Sequence, residues 1–307
     1  MLTKTFEFEI EPVSPYNFNL TINKHVKQGG INWYFITPYE VRKTDEVWTG
    51  LMLNEKYYGV KLKFIGRVEN PRIVCSVFSK ERISNMEEKD LENIIRCCLG
   101  TEINVNDFYQ LANEYPSLKE AVQVFYGIRS TAFPDIFSGA ILAIMLQRAS
   151  YGRTEKMLEK FYLNYGQKIV FDNKSVIACP NPRKILETSH EELKAKCKVG
   201  YRAYTLKAFA EALNSKKAPK CLAKIENFRE VEDFLLNIKG IGKYSVEVIL
   251  FGVFPCFPID NWSSQIFSKA FKLEIKDSDS IKNFVVRNFG AWQTYVYDYL
   301  VNYYAQN

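Results

Sequence analysis

Two short stretches of the chain carry residues that could do chemistry together. Lys239-Gly240-Ile241-Gly242-Lys243 sets two glycines around one apolar residue, with a lysine on either side. Glycine reaches positive φ without steric cost and lets the backbone approach a ligand, so the stretch reads as a tight turn with an apolar plug. Phe234, Leu235 and Ile238 before it, and Val248, Ile249 and Phe251 after it, fall at helical spacing. They predict helix, glycine hairpin, helix over 231–254, with Pro255 stopping the second helix. Free amides at the start of that helix, its dipole and two lysines make an anion site. The anion that suits so shallow a turn is a nucleic-acid phosphate, gripped without regard to sequence. Farther on, Phe257-Pro258-Ile259-Asp260-Asn261-Trp262 holds a carboxylate between apolar neighbours and a stiff proline. Such a carboxylate can stabilise positive charge developing in a transition state; it can also serve as a helix N-cap, or do both.

Lys239-Gly240-Ile241-Gly242 followed by Phe257-Pro258-Ile259-Asp260 resembles the helix-hairpin-helix, Gly/Pro-rich loop and aspartate signature of the base-excision DNA glycosylases. The nearest branch is that of 3-methyladenine DNA glycosylase II and 8-oxoguanine DNA glycosylase. The order Gly127-Ile128-Arg129, then Pro134-Asp135-Ile136-Phe137, then an apolar run from Phe137 to Gln147 fits the same branch. The resemblance covers about 87–305 through motifs and the earlier residues by layout only. It implies double-stranded DNA containing a damaged base as partner, a monomer, and no cofactor. It makes Asp260 the catalytic carboxylate and puts Lys239, Gly240, Gly242 and Lys243 on the DNA backbone. Gln147 would reach the DNA at its helix end, and Arg148 would be the wedge that fills the vacated stack. Tyr201 and Arg202, in Gly200-Tyr201-Arg202-Ala203, would face the orphaned partner base. Tyr244, Trp262 and Trp292 would border the base pocket. Plainer readings stand beside these: a helix-end cation for Arg148, packing for Tyr201, a surface ion pair for Arg202, and core for most of the aromatic stripe at 292, 295, 296, 299, 300 and 303.

The sequence departs from the lyase members of this branch. They place a lysine two residues after the second hairpin glycine, where it attacks the sugar as an amine. Here that position is Tyr244, and Lys243 falls one place early, about 100° around the helix. The reading is therefore monofunctional, with water as nucleophile and an alkylated purine such as 3-methyladenine as target. An 8-oxoguanine enzyme, with or without lyase activity, is the alternative, and an inactive DNA-binding relative is a third. The interval from Tyr244 to Asp260 is also shorter than the resemblance implies, which puts the placing of Asp260 in question.

The elements that must position these residues divide the chain in two. Up to about residue 84, Thr5–Ile10 and Tyr58–Ile65 alternate apolar and polar residues, and 32–37 and 73–78 supply further strands. Turns are expected at Gly29-Gly30, Asn54-Glu55 and Glu69-Asn70-Pro71. From about Glu87 the apolar spacing is helical throughout, apart from a polar excursion or extended hairpin over 167–184. The expected class is α+β: an antiparallel sheet domain over 1–86, one face of which needs a cover, then an all-α helix-hairpin-helix domain over 87–307.

Composition bounds the rest. The 307 residues are 47% hydrophobic and 15% aromatic, enough for a large core, and the net charge of +6 favours an anionic partner without proving one. No apolar run is long enough to span a bilayer and Met1–Glu7 does not read as a secretory signal, so the chain is expected to be intracellular and unattached to membrane. Seven scattered cysteines do not suggest a disulfide framework. The last of them, Cys256, precedes Asp260, which excludes the iron–sulfur cluster that some glycosylases carry after the aspartate. With two histidines, His25 and His190, no metal site is expected.

Overall fold

A computed structural model describes residues 1–24, 39–215, 218–219, 221–274 and 277–306. Strands β1 (Thr3–Ile10), β2 (Val41–Lys43), β3 (Glu46–Leu53), β4 (Lys56–Phe64) and β5 (Ile73–Ser79) form one antiparallel sheet in the order β1-β5-β4-β3-β2. Asn54 and Glu55, both at positive φ, make the two-residue turn between β3 and β4, as the sequence leads one to expect. The strand expected over 32–37, the Gly29-Gly30 turn and His25 lie outside the described residues. β3 is not announced by alternation, because it is buried along nearly its whole length.

That burial has two sources. After the short helix α1 (Phe18–Ile22), helix α2 (Asn85–Leu99) lies on one face of the sheet, its start fixed by a Ser84–Glu87 capping box. Leu91, Ile94, Ile95 and Leu99 of α2 share a core with Leu51, Val60, Leu62 and Val77 of the strands. A boundary drawn after residue 86 thus runs through a core rather than between two. The opposite face receives a hairpin, β6 (Gln167–Phe171) and β7 (Lys174–Ala178). Gly50 and Gly59 pair across β3 and β4 on this face. A Cβ on Gly50 would lie 2.9 Å from Cδ1 of Ile169, and one on Gly59 would lie 2.5 Å from Cδ1 of Phe171. The two missing side chains make the hollow that the hairpin fills, with Trp48, Phe78 and Val176 around it. The hairpin lies within the 167–184 stretch where an excursion or extended hairpin is expected; it corrects the all-α label for 87–307 and gives the sheet a second covered face.

The helices that follow are α3 (Asn106–Ala112), α4 (Pro116–Val124), α5 (Ile136–Leu146), α6 (Tyr151–Tyr165), α7 (Pro182–Glu187), α8 (His190–Cys197), α9 (Arg202–Leu213), α10 (Phe228–Leu236), α11 (Lys243–Leu250), α12 (Asn261–Phe271), α13 (Ser278–Phe289) and α14 (Gln293–Gln306). α5 is apolar all round and buried from Ile136 to Met145, so it forms the axis on which α6, α9 and α11 pack. A second helical core gathers α3, α4, α12, α13 and α14 around Phe108, Phe267, Phe289 and Tyr299. Arg129 is fully buried and donates to the carbonyls of Val13, Ile103, Gly127 and Ile128, tying the end of the sheet to the helices. Among the described residues, no helix is long and apolar enough to cross a membrane.

Candidate active site and nucleic-acid interface

The hairpin forms between α10 and α11. Gly240 sits at φ +90°, and a Cβ there would lie 2.4 Å from Oγ1 of Thr205 on α9, so only glycine fits. Ile241 is buried as the plug, while Lys239, Gly240, Gly242 and Lys243 are exposed. Gly242 is the N-cap of α11 at φ −120° with no side-chain cap, so the first amides of the helix are left for a ligand. The hairpin is braced from α5: Gln147 Nε2 donates to the Gly240 carbonyl at 2.8 Å and to Ser245 Oγ at 3.2 Å. Gln147 is thus an internal strut, with its amide nitrogen engaged rather than offered to DNA. Arg148 follows it, exposed and at φ +47°, at the polar end of the buried helix.

Arg202 calls for a correction. It is 1% exposed, and its guanidinium donates to the carbonyls of Ile144 (3.1 Å), Val199 (3.4 Å) and Gln147. It closes the C-terminal end of α5, where carbonyls lack helical partners, and is not presented to a base edge. Tyr201 is 50% exposed, stacks over the Arg202 guanidinium at 4.8 Å and donates its hydroxyl to the Gln147 carbonyl at 3.3 Å. The segment therefore offers a tyrosine but no arginine to solvent.

α11 ends at Leu250, short of Pro255, because the chain turns at Gly252 (φ +81°) against the Thr131 carbonyl. The early end leaves an irregular run from 255 to 260 that spans the short interval to Asp260. Thr294 of α14 pins this run: its Oγ1 accepts from the Cys256 amide at 3.1 Å and donates to the Cys256 carbonyl at 2.8 Å. Asp260 is the N-cap of α12 in a reciprocal box with Ser263. Its Oδ1 accepts from the Ser263 amide at 2.8 Å and the Ser263 hydroxyl at 2.9 Å. Among the described residues nothing donates to Oδ2. One oxygen thus fixes the carboxylate while the other stays available.

Aromatic groups surround this carboxylate. Burial foremost, then the Asp260 charge and the neighbouring Tyr151 phenol, push the Tyr244 phenol well above its ordinary value. Burial and the Asp260 charge likewise push Tyr151 up to about 12. Tyr297 is raised by burial first, then by Tyr244, Tyr151 and Asp260. Trp262 meets the Tyr151 ring edge-on at 6.1 Å, and Tyr297 lies against Phe251 and Phe257. The structure thus brings Asp260, Tyr244 and Trp262 together. It places Trp292 against Phe108 at 5.8 Å and Tyr295 at 5.5 Å, within the α3–α14 core. Tyr151 and Tyr297 escape the sequence reading. The first opens α6 just beyond Arg148; the second lies off the 292–295–299 stripe of α14, and that exception in an otherwise core-facing helix is the signal that could have found it. Among the described residues, no three His, Cys, Asp or Glu side chains converge as metal ligands.

No protein-family model matches the chain. A DNA-3-methyladenine glycosylase of Bacillus subtilis (strain 168) is 22% identical over 199 residues, which span 63% of this chain and 65% of that protein. The match therefore covers a little under two thirds of that relative's length. The 3-methyladenine DNA-glycosylase from Archaeoglobus fulgidus superposes with a TM-score of 0.77 at 19% identity, over 97% of this chain and 98% of that one. The Clostridium acetobutylicum 8-oxoguanine glycosylase/lyase, in complex with double-stranded DNA containing cytosine opposite 8-oxoguanine, superposes with a TM-score of 0.71 at 18% identity, over 100% and 97% of the two chains. From sheet to closing helix, the chain has the fold of the helix-hairpin-helix DNA glycosylases.

Proposed function

We propose that the protein is a monofunctional DNA glycosylase that flips an alkylated purine out of duplex DNA and hydrolyses its N-glycosidic bond. The observation that carries this reading is the carboxylate of Asp260, anchored through one oxygen, free at the other, and faced by Tyr244 where lyase enzymes hold a lysine. The names of the similar proteins, 3-methyladenine and 8-oxoguanine glycosylases, support the reaction class and leave the base open.

In this reading Lys239, Lys243 and the amides after Gly242 grip a phosphate, while Arg148 and Tyr201 hold the vacated stack open. The C1′–N bond breaks with its electron pair passing to the base. Asp260 stabilises the cationic sugar that results. Water adds its oxygen to C1′ and gives up its proton to the carboxylate or to solvent. Tyr151, Tyr244, Tyr297 and Trp262 form electron-rich walls suited to a base that already carries positive charge. The oxidised-purine alternative drew support from a Tyr201–Arg202 pair, and the inward guanidinium of Arg202 leaves half of it.

The test is a panel of duplexes, each with one damaged base: a 3-methyladenine analogue, hypoxanthine, 8-oxoguanine, uracil or mismatched thymine. Strand cleavage is read before and after hot alkali. Release of the alkylated base with cleavage only after alkali is the expected result. Release of 8-oxoguanine with cleavage before alkali would overturn it, and release of no base would establish the inactive relative.

A further inference from the structure

The first turn of α9 carries an exposed group that the reading above does not use. Tyr204 is 51% exposed, beside Tyr201 at 50%. The Lys194 ammonium of α8 lies 4.2 Å above the Tyr204 ring and donates to its hydroxyl at 2.8 Å. The His190 ring lies 4.3 Å from the Tyr204 ring, tilted by 33°. Among the described residues Lys194 makes no ion pair, whereas its neighbour Lys196 is held by Glu192 at 2.6 Å. The close partners of this ammonium are a phenol and a π face, so no carboxylate offsets it.

Position on α9 says which way the group faces. Taking Tyr201 as origin, Thr205 lies roughly 40° to one side and Tyr204 roughly 60° to the other. Thr205 packs on Gly240 of the hairpin. Tyr201 reaches Gln147, which itself braces the hairpin. The order across the surface is therefore hairpin, Gln147 with Arg148, Tyr201, Tyr204, and then Lys194 with His190. Arg148 lies between the hairpin and the Tyr204–Lys194 group in this strip. If Arg148 enters the duplex as the proposed reading has it, groups on its hairpin side meet the strand that carries the flipped nucleotide, and groups on its other side meet the opposite strand.

We propose that Lys194, the Tyr204 hydroxyl and His190 form a second phosphate grip, binding the backbone of the undamaged strand. The proposal rests on the DNA-glycosylase reading and adds a site to it. Two grips on opposite sides of the wedge hold both strands while one nucleotide leaves the stack, so the duplex cannot slide to refill the gap.

The test uses the full chain and a duplex carrying a non-cleavable abasic analogue, with affinity measured across a salt series. Lys194→Gln is expected to weaken binding several-fold and to lower the slope of log K against log salt by about 0.9, the loss of one phosphate contact. Tyr204→Phe keeps the ring packing and should weaken binding less. Replacing single phosphates of the undamaged strand by methylphosphonates should reveal a position where Lys194→Gln no longer matters. Lys239→Gln with Lys243→Gln serves as the reference. If the reference variant loses affinity and Lys194→Gln changes neither affinity nor slope, the second grip is refuted while the glycosylase reading stands. Coupling confined to the damaged strand also refutes it. Wild-type protein that binds no duplex refutes the underlying reading itself.

Discussion

Replacing Asp260 by Asn separates what the carboxylate does for the fold from what it does for the reaction. Asn equals Asp as an N-cap, and its side-chain carbonyl can accept from the Ser263 amide and hydroxyl as Oδ1 does. The cost in stability should stay below about 0.5 kcal/mol. The charge, however, is gone. A carboxylate about 4 Å from a cationic sugar, at an effective dielectric near 20, contributes about 4 kcal/mol. That corresponds to roughly a thousandfold in rate. Asp260→Ala should lose the same rate and in addition about 1 kcal/mol of cap stability. Single-turnover base release, anisotropy with labelled duplex and thermal unfolding measure the three quantities on each variant. Base release within tenfold of wild type in Asp260→Asn would refute the assignment. A fall in affinity as large as the fall in rate would show that Asp260 holds DNA rather than the transition state.

Four further outcomes follow from the geometry. Gly240→Ala, at φ +90° and against Thr205, should destabilise the protein by about 1–2 kcal/mol or more. Gly242→Asp, at φ −120° with no atom within 4 Å of its Cβ, should leave stability unchanged or raised, because aspartate caps α11, yet weaken binding to all duplexes alike; unfolding midpoints paired with affinities decide both. Arg202→Ala should lower stability by roughly 2–4 kcal/mol through the uncapped end of α5, and should leave the preference for the base opposite the lesion unaltered; a changed preference without a changed unfolding midpoint would reverse the correction made above. Tyr244→Lys should gain a covalent adduct with damaged DNA that borohydride traps, since an amine there can form an imine and a phenol cannot; trapping by the wild type that is lost in Lys243→Gln would overturn the monofunctional reading.

The hairpin was legible because its demands are specific to position: Gly240 needs a conformation other residues avoid, and Ile241 needs a buried side chain between exposed neighbours. Most of the helices were legible because they bury one stripe, and α5, buried all round, was legible as an unbroken apolar run. β3 was not, because its two faces are covered by elements far away in sequence and its pattern loses the alternation that marks a half-buried strand. Arg202 was misread for a related reason. An arginine before an apolar helix can turn to solvent or to unpaired carbonyls, and only the position of the α5 end decides. Tyr151 and Tyr297 come within electrostatic reach of Asp260 from α6 and α14, and no local spacing encodes a convergence of three elements.

The fit of Ile169 and Phe171 into the space left by Gly50 and Gly59 bears on cooperativity. A hairpin from the middle of the chain completes a layer begun by its first residues, and α2 closes the other side of that layer. Neither portion can then melt alone without opening apolar surface on its neighbour, so calorimetry should record a single transition. A chain cut after residue 86 should yield two fragments that aggregate separately and regain solubility only when refolded together. The same interlock ties the strands to the body that carries Asp260 and the hairpin, so a side chain added at Gly59 would be felt as lost protein rather than as altered chemistry.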